Sequence, residues 1–65
     1  MSVYILIYKH EIYEHVFTSF VSALQTAYIH YKDIDLQKQY VGVQKGIKKI
    51  FTITTDIEIQ CVSLA

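Results

Sequence analysis

The chain has 65 residues, 52% of them apolar, and its six lysines cancel its six acidic residues. That length allows one domain, over residues 1–65, and a domain this small hides only about 60% of the surface its unfolded chain exposes. A formal charge of zero excludes a global field towards nucleic acid or an anionic membrane, and leaves little self-repulsion to oppose association.

The first element is a strand. Val3-Tyr4-Ile5-Leu6-Ile7-Tyr8 is β-branched, aromatic and free of breakers. It is apolar at every position, where a strand with one wet face would alternate. Its place is therefore inside a sheet, with something covering each side.

Residues 13 to 31 carry the clearest periodicity. Tyr13, Phe17, Phe20, Leu24, Tyr28 and Tyr31 are spaced as one face of a helix, widened by Ala23 and Ala27. The pattern favours a helix from about residue 12 to 32, with Asp33 and Asp35 helping to end it. The alternative begins the helix at the capping residues Thr18 and Ser19 and makes Glu11 to Phe17 a second strand. A tight turn at Ile12-Tyr13 would then be required, which β-branched Ile12 resists.

From Gln39 onward the pattern is extended. Gly46 suits the left-handed position of a short hairpin loop between Tyr40–Val43 and Ile47–Thr54. Phe51, Ile53, Thr55, Ile57, Ile59 and Cys61 share one parity, which fits a single bent strand or a second hairpin. A three-residue loop, Thr54-Thr55-Asp56, would pair Ile53 with Ile57 and Phe51 with Ile59. The hairpin is the more compact, because a strand of about 15 residues exceeds the usual length.

The expected fold is α+β: one amphipathic helix on a small, mostly antiparallel sheet in the order β-α-β-β-β, dimeric through what it leaves bare. A single helix covers one sheet face. One parity of the first strand, Tyr4/Leu6/Tyr8 or Val3/Ile5/Ile7, stays uncovered, and Tyr4, Leu6 and Tyr8 are taken as the partner-binding or dimer-interface anchors. The C-terminal edge offers a second route to association, by strand addition.

No constellation carries catalysis. His10 and His15 are five apart, so they miss the four-residue spacing that turns two helical histidines towards one metal, and Glu14 stands where the second is needed. His30 reads as an exposed residue near a helix end. Cys61 cannot form an intramolecular disulfide and reads as a small apolar strand residue. The glycine spacing lacks the pattern of a phosphate loop. The expectation is a non-enzyme with no cofactor and no metal.

Lys45, Lys48 and Lys49, with Lys38 and Tyr40 nearby, form the best local charge feature. They would supply a polar rim to a protein interface or, alternatively, a weak nucleic-acid contact with Tyr40 stacking on a base. The absence of arginine opposes specific readout of bases. The apolar runs are far short of the roughly 20 residues of a membrane span, and no secretory leader is evident, so the expected location is cytoplasmic.

The functional expectation is a small protein-binding module that self-associates as a homodimer. Isoleucine-, tyrosine- and lysine-rich composition without arginine, proline or tryptophan suggests an AT-rich coding source. By analogy of size, that points to a phage- or mobile-element-encoded inhibitor or modulator of a host protein.

Overall fold

The computed structural model describes residues 1–64. It contains β1 (Ser2–Tyr8), β2 (Glu11–Phe17), α1 (Phe20–His30), β3 (Gly42–Lys45), β4 (Lys48–Thr52) and β5 (Ile57–Ser63). The five strands form one open sheet in the order β2-β1-β5-β4-β3, and every neighbouring pair is antiparallel. The helix lies on one side of it, an α+β arrangement. As its unbroken apolar run requires, β1 sits inside the sheet, between β2 and β5.

The long helix from residue 12 is not formed, and the second strand takes its first turn and a half. Tyr13 and Phe17 do share a side and pack against the core, but they do so from β2. A spacing of four is compatible with both periods, since it is one helical turn and also an even number of strand residues. The reversal falls at Lys9-His10, whose φ values of 47° and 69° place both in the left-handed region, and Ile12 is spared. Register shifts between Ile5 and Ile7, so that Tyr13, Glu14 and His15 lie opposite the single residue Leu6. Two extra residues bend the edge strand without exchanging its faces.

The helix starts where Ser19 caps it. The Ser19 side chain accepts a hydrogen bond from the Ser22 backbone N–H at 3.1 Å. At the far end the Tyr31 N–H reaches the Ala27 carbonyl at 2.8 Å, and His30 occupies the last turn. The connection that follows has no regular structure, and β3 begins only at Gly42. Buried Ile34 anchors this connection, and the Tyr40 hydroxyl donates back to the Asp35 carbonyl at 2.8 Å.

The C-terminal half follows the expected register. Lys45 pairs with Lys48 around Gly46-Ile47, and Gly46 has φ 63°. Phe51 pairs with Ile59, and the Ile53 N–H bonds the Ile57 carbonyl at 2.9 Å. Thr54-Thr55-Asp56 is the three-residue loop. Its Thr54 hydroxyl accepts from the N–H groups of Asp56 and Ile57.

Leu6 and Ile59, paired in register, are 1% and 0% exposed and centre the core. Ala23 and Ala27 let the helix approach them, and Leu24, Ile34, Ile53 and Ile57 complete it. Full burial of Leu6 and Ile59 contributes about 1.5–3 kcal/mol each. Phe20 opens the helix against Phe51, with ring centroids 4.7 Å apart.

Candidate functional site: the open sheet face

Burial of Leu6 decides which parity of β1 lies under the helix. Tyr4, Leu6 and Tyr8 face α1: Leu6 is enclosed, and the two tyrosines pack against the core. They were the expected interface anchors, and the structure corrects that choice. The uncovered parity is Val3, Ile5 and Ile7. Apolarity at all six positions gave no basis for choosing between the two, because the choice depends on the cross-strand match of Leu6 with Ile59.

The register assembles the open face in three rows. The middle row runs unbroken across all five strands: Val16, Ile5, Gln60, Ile50 and Val43. Towards the β1–β2 turn lie Ile12, Ile7, Glu58 and Thr52. At the opposite end lie Val3, Val62, Lys48 and Lys45. Val16 is 60% exposed, Val43 57% and Ile12 69%, and their inner neighbours Ile5, Ile7 and Ile50 are half-buried.

Besides Thr52, Lys48 and Lys45, two polar residues of the central strand, Gln60 and Glu58, interrupt this surface. Gln60 Nε2 donates to Glu58 Oε2 at 2.6 Å, which satisfies each partly and leaves the carboxylate able to accept more. A shallow groove of about 430 Å³ runs beside them, lined by Ile7, Ile12, Thr52 and Lys48 among others. Gln60, Glu58 and the apolar middle row were not singled out by sequence reasoning. The signal was present for Ile5 and Ile7, whose parity was one of the two weighed, but not for Val16 and Val43, whose strands needed the register.

The basic residues do not share a face. Lys45 and Lys48 sit together at one end of the open face. Lys49 pairs with Cys61 on the helix side and lies over the Phe51 ring at 5.8 Å. Lys38 lies over Tyr40 at 5.4 Å, also on that side, because Tyr40 packs against the core. The β3–β4 ribbon therefore presents Lys45 and Lys48 to one side and Lys49 to the other, with Lys38 outside the ribbon, instead of a single basic track.

Outside this face, His10 stands in the β1–β2 turn, exposed His15 touches Glu14 at 3.9 Å, and His30 receives or donates a hydrogen bond with the Tyr13 hydroxyl at 3.3 Å. Among the described residues no three of His, Cys, Asp and Glu gather as metal ligands. Cys61 is a free thiol beside Tyr4, and the bond between them, followed by burial, holds the Tyr4 hydroxyl above its ordinary pKa. No helix among the described residues is long and apolar enough to cross a membrane. Comparison of the chain with protein-family models, with curated proteins and with solved structures finds no match in any of the three.

Proposed function

We propose that this chain is a protein-binding module that acts through its open sheet face, and that the occupant of that face is a second copy of itself. The observation that carries the reading is the five-strand row Val16, Ile5, Gln60, Ile50 and Val43, four of whose members are β-branched apolar residues without cover. An open-sided antiparallel sheet ordinarily alternates apolar inside with polar outside. Contiguous apolar patches of a few hundred Å² on small proteins mark interaction sites.

Area supports a copy as the partner. Five strands spaced about 4.8 Å apart, each some six residues long at about 3.3 Å per residue, present roughly 500 Å² in projection. Two copies face to face would bury about 1,000 Å² before side-chain relief is counted, which reaches the lower limit of a specific interface.

Charge supports it as well. A two-fold axis running across the strands lays each copy's Lys45/Lys48 end over the other's Glu58 end, while the apolar middle row meets its counterpart. Two sheets stacked in this way form a sandwich, with the usual spacing of about 10 Å and a crossing near 30°. Sedimentation of the native chain beside its Val16→Asp, Val43→Asp double variant tests the reading. Association lost in a variant that keeps its helix and sheet upholds it; native protein that does not associate removes it.

A further inference from the structure

The β1–β2 turn end of the fold also holds a second concavity, which shares Ile12 with the groove of the open face. Between the β1–β2 hairpin and the end of α1 runs a groove of about 270 Å³, lined by Tyr8, Glu11, Ile12, Tyr13, Glu14 and Tyr31. Tyr8 and Tyr31 are stacked, with centroids 4.1 Å apart and planes 15° from parallel. Tyr13 stands apart from them, and its hydroxyl is tied to His30 at 3.3 Å, which holds the ring in place. Rings from β1, β2 and the helix C-cap thus line the groove together with two carboxylates. Tyr8 is covered by Tyr31 on one face and approached by Lys9, so Tyr31 and Tyr13 are the rings left to meet a guest.

The chemistry of these walls favours one kind of guest. Tyrosine faces and hydroxyl oxygens present negative potential, and Glu11 and Glu14 add full charge. Among the described residues neither carboxylate meets a lysine; Glu14 touches only the exposed ring of His15 at 3.9 Å. Lys9 already lies over Tyr8 at 5.4 Å, so this aromatic system draws a cation from within the chain. Burial first, and then the oxygens of Tyr8, Tyr13 and Glu11, raise the pKa of the Tyr31 hydroxyl, against an opposing pull from Lys9. The volume fits one head group and a short stem, below the range of whole-cofactor sites.

We infer that this groove binds a methylated ammonium group, seated against Tyr13 and Tyr31, with Tyr8 backing Tyr31, and neutralised by Glu11 and Glu14. A quaternary ammonium is matched to such a site because it is cationic yet weakly hydrated, so the rings gain cation–π attraction without a large desolvation cost. An unmethylated ammonium ion is more strongly hydrated and binds less well.

The test uses choline chloride and its neutral isostere 3,3-dimethylbutan-1-ol, with tyrosine-ring NMR resonances of the full chain as the readout. Choline should shift the Tyr8, Tyr13 and Tyr31 rings along one saturable curve, while the alcohol leaves them unmoved at the same concentration. A short peptide carrying trimethyllysine, beside the same peptide with plain lysine, separates the sources: tighter binding of the methylated peptide than of choline assigns the group to a protein side chain, and the reverse assigns it to a free small molecule. Replacing the exposed pair, Glu11→Gln with Glu14→Gln, leaves the packed rings intact and should weaken binding about tenfold. Equal binding of the alcohol, absence of saturation, or affinity unaffected by the double replacement would each overturn the assignment.

Discussion

Gly42 lies directly opposite Phe51 in the β3–β4 register, and a Cβ on Gly42 would stand 2.8 Å from the Phe51 ring and 2.7 Å from Lys49. The glycine is there for space. It lets the aromatic ring and the lysine stem fold across the edge strand and close the helix side of the sheet. An alanine would force Phe51 away from Phe20, its neighbour at 4.7 Å. Gly42→Ala is expected to cost about 1–3 kcal/mol, the scale of overpacking, and urea unfolding of the variant measures it. No change in the midpoint would mean that the ring and Lys49 yield freely.

The turn at Lys9-His10 holds two side chains in the left-handed region, at φ 47° and 69°. Each non-glycine residue there costs about 1–2 kcal/mol, less for those that tolerate the conformation. Substituting Asn-Gly, the pair preferred in such two-residue loops, should stabilise the chain by about 1 kcal/mol. For a domain of this size that raises Tm by about 4–8 °C, readable by circular dichroism. The Lys9 N–H bond to the Asp56 carbonyl, 2.8 Å in the native chain, is available to any residue at that position.

Three tyrosines bind their protons more tightly in the folded chain. The Cys61 bond followed by burial raises Tyr4, and burial ahead of neighbouring oxygens raises Tyr31 and Tyr40, the latter beside Asp35. The folded protein therefore takes up protons more strongly than the unfolded chain, whose tyrosines titrate near 10. Their stabilisation is complete below about pH 10 and is lost as pH rises through the folded values. Denaturant midpoints should stay flat with respect to these groups below that point and fall above it. Tyrosinate absorbance should show Tyr4, Tyr31 and Tyr40 titrating above the ordinary tyrosine value.

Lys48 and Glu58 lie at opposite ends of the open face, and the proposed two-fold pairing would bring Lys48 of one copy towards Glu58 of the other. Lys48→Glu or Glu58→Lys alone should weaken self-association about fivefold, equivalent to about 1 kcal/mol for a partly screened pair. The double exchange should restore most of the loss. Losses that simply add in the double variant would place these residues away from each other in the assembly.

The parity of the C-terminal half was legible because the chain advertises it twice. Alternating isoleucines mark the buried side, and Thr54-Thr55-Asp56 provides a loop that keeps Phe51 opposite Ile59. The class of fold and the existence of an uncovered face followed from the same economy of material. Tyr13 and Phe17 were illegible as strand residues because a four-residue spacing satisfies both periods, and because the turn needed to separate them from β1 sits on Lys9-His10, which carry none of the usual turn signals. The orientation of β1 was hidden for a different reason. Tyr4, Leu6 and Tyr8 are no more apolar than Val3, Ile5 and Ile7, and only pairing with β5, at the far end of the chain, distinguishes them. The spread of Lys45, Lys48 and Lys49 over two sides likewise depends on register, since neighbours on a strand point in opposite directions.

Sedimentation equilibrium at micromolar to millimolar concentration tests the central claim most directly, because one protomer is only 7.6 kDa and a pair is twice that mass. The account predicts a concentration-dependent rise to the two-copy mass in the native chain. It predicts a species that stays at one protomer when Val16 and Val43 carry aspartate, with an unchanged circular dichroism spectrum. Native protein that remains a single protomer throughout, or a double variant that pairs as well as the native chain, would contradict it.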